Sequence, residues 1–519
     1  MAIGRLLLLI AMMALLPATA SDTAAQARWL AGQAIYRDGV LGFGAPLAGV
    51  GAAGVLRQGR EAACIACHRR SGFGIAEGAL LVRPITAPDL FQDRLVTAAT
   101  PRIAHQLGTP RRPAYDAAAL AAALRNGTDV TGRSMHSMMP RYALGEADMA
   151  ALQEYLRSLY AAPDPGVDDS EIRLATVIQP DVAPARRQAV LDVLDAFVRD
   201  KNAGVRSELA RRQGGAMRMH RSYRTWTLDV WQLTGAPDGW PAQLEQFYRR
   251  RPVFALVSGI GDAGWQPIQD FSERFQVPCI LPLTSLPGAG PNFYTVYFSR
   301  GIALEAQALA GHLGTRAAVT QVFRRDQPAS LAAADAFRKA VPAGVRLQDR
   351  ALEGPMTATQ WRTLNGDVLV LWLGADDLRD APARNTPTWL SATLMGDAPA
   401  PGKVGLTYPW ELPQLRAPRV RRSTDWLRAR NIGAAALQDQ VNAHYAITMA
   451  GEALAHLMDS FSRDYFVETI EHDISTTLLS SFYPPLTLGP DQRFASKGVY
   501  VLDPALPDAT RLLVPDNLP

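Results

Sequence analysis

Cys64-Ile65-Ala66-Cys67-His68 sets two thiols one helical turn apart, with an imidazole immediately beyond the second. Three chemistries use this spacing. A zinc half-site needs two further strong ligands nearby, yet the third and last cysteine, Cys279, stands far along the chain. A redox-active dithiol belongs at a strand-to-helix junction, whereas Gly51 to Gly59, just before Cys64, reads as loop. The remaining chemistry is covalent. The two thiols add to the two vinyl groups of a haem, and the adjacent imidazole of His68 meets the iron from one face.

Working outward, the N-terminus supplies a compartment that suits such chemistry. Met1 to Arg5 carries one positive charge, Leu6 to Leu16 is apolar, and Ala18-Thr-Ala20 or Ala25-Gln-Ala27 offers a small-residue cleavage site. The apolar run is shorter than the about 20 residues a spanning helix needs. Residues 1–27 therefore read as a signal peptide, and the mature chain is expected in the periplasm. With Cys64 and Cys67 consumed by haem, Cys279 is left without a disulfide partner.

Residues 28–160 form the first expected domain. Trp29 to Tyr36 reads as a helix ended by Asp38-Gly39. A second helix carries Glu146 and Asp148 in its first turn, then Met149, Leu152, Leu156 and Leu159 on one face. This segment resembles the class I monohaem cytochromes c, all-α domains whose first and last helices cross at a glycine and an aromatic, here Gly32 and Tyr155. The resemblance implies one covalent haem c on Cys64 and Cys67, with His68 as one axial ligand. Met139-Pro140, just before the last helix, resembles the loop that carries the other, so Met139 is the implied sixth ligand; Met138, Met135 and His136 are the alternatives in the same loop. Pro84 resembles the proline whose carbonyl receives the ligating histidine's Nδ1 proton. Arg69, Arg70 and Arg83 read either as partners of a propionate or as solvated surface charges.

At 519 residues the chain exceeds one core. Residues 161–170, polar and Pro/Gly-bearing, read as a linker. From 171 to 519 short apolar strands alternate with helices: 172–178, 252–257, 277–281, 317–323, 367–372 and 403–408. Near-continuous apolar strands with helical crossovers point to parallel sheets covered on both faces. The order of Phe254 to Gly261, Val277 to Ser285, Tyr297 to Arg300 and Arg493 to Tyr500 resembles the type I periplasmic binding proteins, the branched-chain amino acid and amide binders of ABC transport systems. That resemblance implies a two-lobed α/β fold, with lobes at about 171–296 plus 411–492 and at 301–408, and a C-terminal return segment. Strand ends name a candidate ligand cleft at Ser258, Gly259, Thr284, Ser285, Arg324, Trp372 and Tyr408. Asp262-Ala-Gly-Trp265 replaces the serine-rich turn of the amino-acid binders, so a small polar or aromatic ligand is expected rather than leucine or valine.

A net charge of +4 is small for this length, and the basic runs lack an aromatic or groove pattern, so no nucleic-acid partner is expected. A haem with two protein ligands has no open site for a substrate. The expected function is electron transfer with a small-molecule-binding-like module, serving a periplasmic redox partner such as a dehydrogenase or another cytochrome. The alternative is an ABC-type solute-binding or sensing protein with a redox-active haem domain and a membrane permease as partner. Haem catalysis ranks third, because a second CxxCH is missing. His220, His312, His444, His456 and His472 are scattered over different elements and form no hydrolytic array, so catalytic residues are not expected.

Overall fold

The computed structural model of the chain describes residues 20–77, 80–95, 111–212, 224–314, 318–505 and 511–515. The expected signal run Leu6 to Leu16, His105 and His220 lie outside them. Among the described residues, no helix is long and apolar enough to cross a membrane. The chain divides into two compact units, Met1–Ala162 and Pro163–Pro519.

In the first unit the helices Ala20–Asp38 and Glu146–Ser158 cross at Gly32. A Cβ on Gly32 would lie 2.1 Å from the Ala151 carbonyl oxygen and 2.8 Å from Tyr155 Cβ, so any side chain there would push the helices apart. Trp29 and Tyr36 pack their rings against Tyr155 at 5.5 and 5.2 Å. Between them lies the helix Ala117–Asn126, capped by the Asp116 carboxylate and ended by Gly127 in the left-handed conformation at φ 69°. Its Leu120 and Leu124 join Ile35, Tyr36, Met149 and Leu152 in one core.

This unit is not all-α, unlike the expectation. β1 (Ala48–Val50), β2 (Leu56–Gln58) and β7 (Arg141–Tyr142) form an antiparallel sheet in the order β2-β1-β7. Two further pairs, β3 (Ala76–Glu77) with β4 (Leu80–Leu81) and β5 (Arg94–Leu95) with β6 (Arg111–Arg112), are two residues long. The cause of the larger sheet is local. Gly54, at φ 75°, turns the chain between β1 and β2, and the bare Gly49 lets the Tyr142 ring lie flat on the hairpin.

The second unit holds two sheets. β8 (Glu171–Ile178), β9 (Thr225–Gln232), β10 (Ala255–Val257), β11 (Cys279–Ile280) and β12 (Thr295–Val296) are parallel, in the order β12-β11-β10-β8-β9. β13 (Ala318–Arg324), β14 (Arg346–Leu352), β15 (Leu369–Trp372), β16 (Thr388–Ser391) and β17 (Gly405–Tyr408) build the second parallel sheet. β18 (Val499–Leu502) and β19 (Arg511–Leu513) add to it antiparallel. Buried residues lie on both faces of the first sheet, Val190, Ala446 and Phe466 on one and Trp240, Trp265 and Phe271 on the other, as a covered parallel sheet demands. The chain passes between the sheets after Val296, after Tyr408 and between Phe494 and Val499, which makes two lobes joined by three crossings.

The proposed linker 161–170 is only partly a linker. The Arg463 backbone N–H donates to the Asp164 carboxylate at 2.7 Å, and its guanidinium donates to the carbonyls of Pro165, Val253, Phe254, Phe275 and Gln276. Gly166 lies so close to Phe254 that a Cβ would sit 2.0 Å from its backbone nitrogen. Proline and glycine mark irregular backbone here, and one buried arginine ties that backbone down.

Candidate functional site

The short helix Ile65–His68 carries the CxxCH turn. Cys64 and Ile65 pack against the core of the first unit, and burial pushes the Cys64 thiol up to about 12, with Cys67 nearby adding to the rise. His68 Nδ1 lies 3.1 Å from the Arg83 carbonyl oxygen. A carbonyl only accepts, so the proton sits on Nδ1. Burial holds the imidazole pKa down at about 4 against the pull of that carbonyl, so Nε2 keeps its lone pair near neutral pH. The acceptor belongs to Arg83, one residue before the expected Pro84: the carbonyl that faces His68 is the one on the N-terminal side of the proline ring.

The turn is held from both sides. The Tyr36 hydroxyl donates to the Arg69 carbonyl at 2.8 Å, and the Tyr142 hydroxyl donates to the Ala62 carbonyl at 2.9 Å. Arg69 stands at φ 62°, unusual for a residue with a side chain. Gly74 passes so close to Val82 that a Cβ would lie 2.1 Å from its carbonyl oxygen, which lets the chain fold back beneath the turn.

The methionine loop is braced by its own arginine. Arg141 donates to the carbonyls of Met139 at 2.5 Å and Met135 at 3.1 Å, and its guanidinium occupies the space a side chain on Gly127 would need. Met135 and Met139 pack against the core. Met138 and His136 are exposed, and His136 Nδ1 accepts the Met138 N–H. A neutral imidazole, two adjacent thiols and two inward methionines are a donor set that fits haem. Cys64, Cys67 and His68 would hold it, with a thioether from the loop.

The strand-end residues of the second unit divide between its two sheets, with Ser258, Gly259, Thr284 and Ser285 at the first and Arg324, Trp372 and Tyr408 at the second. Ser258, at φ 49°, and Gly259 form a bulge within the first sheet, because Ile260 beyond them still bridges Ile178 and Leu283. Ser258 is wholly buried, and a Cβ on Gly259 would meet the Trp265 ring at 2.7 Å. Thr284 and Ser285 are half-buried, and the Thr284 hydroxyl accepts the Leu286 N–H. Arg324 is paired with Asp326 and with the buried Asp377. Trp372 is buried, its Nε1 donating to Gln321 at 3.0 Å. Tyr408 accepts from Arg416 at 2.7 Å and meets Trp410 edge-on.

Two polar features escaped the sequence reading. Glu305 is wholly buried; burial raises its carboxyl to about 7, although the Ser391 and Thr407 hydroxyls donate to Oε2 at 2.8 and 2.7 Å. It is the one acid in the mostly apolar helix Ile302–Leu313, and that isolation was its signal. Arg186 bridges Asp262 and Asp439, each at 2.8 Å, a link between distant segments that no local pattern announces. Cys279 is buried, receives the Trp265 Nε1–H at 3.4 Å, and is pushed up to about 12 by burial.

The cytochrome c family model matches residues 58–160, so the first unit carries a cytochrome c domain, a family that implies covalent haem c. No curated protein matches the chain. Among solved structures, a leucine-binding protein from Thermotoga maritima is 12% identical, covering 67% of this chain and 100% of its own, with a TM-score of 0.44. An extracellular ligand-binding receptor from Verminephrobacter eiseniae is 16% identical over 66% of this chain and 100% of its own, at 0.42. A fatty acid ABC transporter substrate-binding protein from Thermomonospora curvata is 13% identical over 68% and 94%, at 0.43. TM-scores of this size carry no argument alone. The two-lobed α/β architecture of the second unit rests on its two parallel sheets and three crossings.

Proposed function

We propose that the chain is a periplasmic electron-transfer protein with one covalent haem c, joined to a module built to bind a small molecule. The observation that carries this reading is the His68 imidazole at the end of a CxxCH turn, neutral and with Nδ1 committed to the Arg83 carbonyl. Cys64 and Cys67 are assigned the thioether links, His68 and Met139 the axial positions. Met139 is preferred to Met138 and His136 because its side chain packs inward while theirs face solvent. Met135, also inward, is the competing ligand. When bound, the haem supplies a one-electron couple. The protein's own residues keep His68 in one tautomer and fix both ligand segments to the core. A dehydrogenase or another cytochrome of the exported compartment is the partner such a carrier needs.

Replacing Cys64 and Cys67 with serine tests this directly. Haem staining on a denaturing gel and the parent's one iron per chain should both disappear; a stained double variant would sink the attachment.

The solute-binding or sensing alternative, with a permease as partner, is favoured by the three crossings, which make a hinge rather than a loose tether. A titration of the whole protein with amino acids, alcohols, amides and aromatic acids, read as the haem potential, separates the two. A ligand that prefers one oxidation state must shift the potential by the coupling energy. Tight binding of leucine or valine would favour transport.

A further inference from the structure

Met139 and Tyr142 belong to one short run, Met139-Pro140-Arg141-Tyr142, whose backbone leaves the methionine loop and enters β7. Tyr142 is buried, and its ring lies over Gly49, where a Cβ would be 2.7 Å from the ring and 2.8 Å from Pro140 Cβ. Its hydroxyl crosses to the Ala62 carbonyl, two residues before Cys64. The methionine loop is braced internally through Arg141, the Met135 N–H donates to the Gly127 carbonyl, and β7 beyond the loop pairs with β1, which leaves the Tyr142 hydroxyl as the tie that reaches the CxxCH turn. Tyr36 makes the matching bond at the far end of the CxxCH turn but comes from the helix Ala20–Asp38, remote in sequence from the loop.

We propose that Tyr142 is a positioning residue that fixes the Met139 loop against the Cys64–His68 turn through its hydrogen bond to Ala62, and so sets the separation of the two axial-ligand segments. The proposal rests on the haem reading above. A buried carbonyl left without its donor is costly, and a phenylalanine in place of Tyr142 keeps the ring packing while removing only the tie. Arg141 would still brace the loop internally and β7 would stay paired with β1, so the loop should loosen as a body against the CxxCH turn rather than unravel.

The test uses the full-length, haem-loaded protein. Tyr142→Phe should keep its covalent haem but weaken the far-red methionine-to-iron band, and imidazole should bind the ferric form about tenfold more tightly because the methionine is displaced more easily. Tyr36→Phe, whose hydroxyl ends at Arg69, should leave imidazole affinity within about twofold of the parent. An unchanged band and affinity in Tyr142→Phe would overturn the proposal. A parent that stains for no haem would instead overturn the haem reading, and amide exchange then still decides. In Tyr142→Phe the segments around Ala62–His68 and Met135–Tyr142 should lose protection together. If that variant expresses too poorly, the parent suffices: on warming, the same two segments should open in one step, and separate openings refute the coupling.

Discussion

The two units treat their polar groups in opposite ways. In the first, the groups assigned to chemistry sit on a one-turn helix and an irregular loop, and hydrogen bonds to carbonyls hold the backbone around them: Tyr36 to Arg69, Tyr142 to Ala62, Arg141 to Met135 and Met139, His68 to Arg83. Among the described residues no hydrogen bond is made to His68 Nε2, the atom the proposal gives to the haem iron. In the second, Arg324 is matched by two carboxylates, Trp372 by Gln321 and Tyr408 by Arg416, while the Ser258 hydroxyl, enclosed in a bulge, has no hydrogen-bond partner. A polar residue at a strand end is therefore as readily a strut as a binding group. What separates the cases is whether an uncommitted atom lies where a ligand can reach it: His68 is half-buried, whereas the unpartnered Ser258 hydroxyl is sealed in the core.

The comparison breaks if the second unit's polar groups can be removed cheaply. The largest effect is expected at Arg463. Arg463→Met would leave several buried carbonyls without a donor, at about 1–3 kcal/mol for each group not rescued by water, so a loss of at least about 3 kcal/mol is expected in urea unfolding of the whole protein. A loss below about 1 kcal/mol would show that this hub is not structural.

Glu305 and His444 sharpen the contrast through pH. Glu305 titrates at about 7 in the fold against 4.5 for its unperturbed group, so the fold binds the proton more tightly than the unfolded chain. Stability is full below about 4.5, falls as pH rises through about 7, and the total is on the order of 3 kcal/mol. Glu305→Gln should therefore gain on the parent at pH 8 and show little gain at pH 4.5 in denaturant titrations; an equal effect at both would refute the buried-acid reading.

His444 runs the other way. It is stacked on Trp426 at 4.2 Å, with Nδ1 3.0 Å from the Ser423 hydroxyl, and burial beside Arg430 holds it down at about 4. Stability is full above the unfolded value of 6.5 and is lost as pH falls through about 4, by a total on the order of 3 kcal/mol. His444→Phe should flatten the acid limb of a thermal-midpoint profile between pH 6.5 and 4. A parent and variant with parallel limbs would place that acid sensitivity elsewhere.

The smallest effect belongs to the first unit. Met138 is exposed, so Met138→Ala should change the melting free energy by less than about 0.5 kcal/mol and leave the far-red band intact. Loss of the band in that variant would move the ligand assignment from Met139 to Met138.

Much of the fold was legible because its signals are local. The CxxCH turn, the glycine at the helix crossing and the apolar strands β8, β10, β13, β15 and β17 each declare themselves within a few residues. β9 and β14 did not. They are edge strands, and Thr225-Trp-Thr-Leu-Asp and Arg346-Leu-Gln-Asp-Arg mix polar and apolar residues because one edge meets solvent. The short sheet of the first unit was hidden for another reason: β7 is two residues long and pairs with a hairpin about ninety residues earlier. The histidine's carbonyl partner was placed one residue late, since a proline marks the turn without saying which of its flanking peptides faces inward. The Arg186 bridge joins segments far apart in the chain, where spacing carries no information, whereas Glu305 left a local sign, a lone acid in a mostly apolar helix, without its hydroxyl partners from distant strands.

The Arg463 hub also decides where the molecule can be cut. A gene fragment beginning at Glu171, where the first strand starts, would delete the carboxylate that receives the Arg463 N–H, the Pro165 carbonyl, and the Gly166 backbone seated on Phe254. The guanidinium would keep the carbonyls of Val253, Phe254, Phe275 and Gln276, but its Pro165 side and the Arg463 backbone N–H would be opened to water at the base of the first lobe. A fragment that starts at Pro163 keeps its own plug, and the difference of eight residues separates a stable recombinant product from one prone to aggregate.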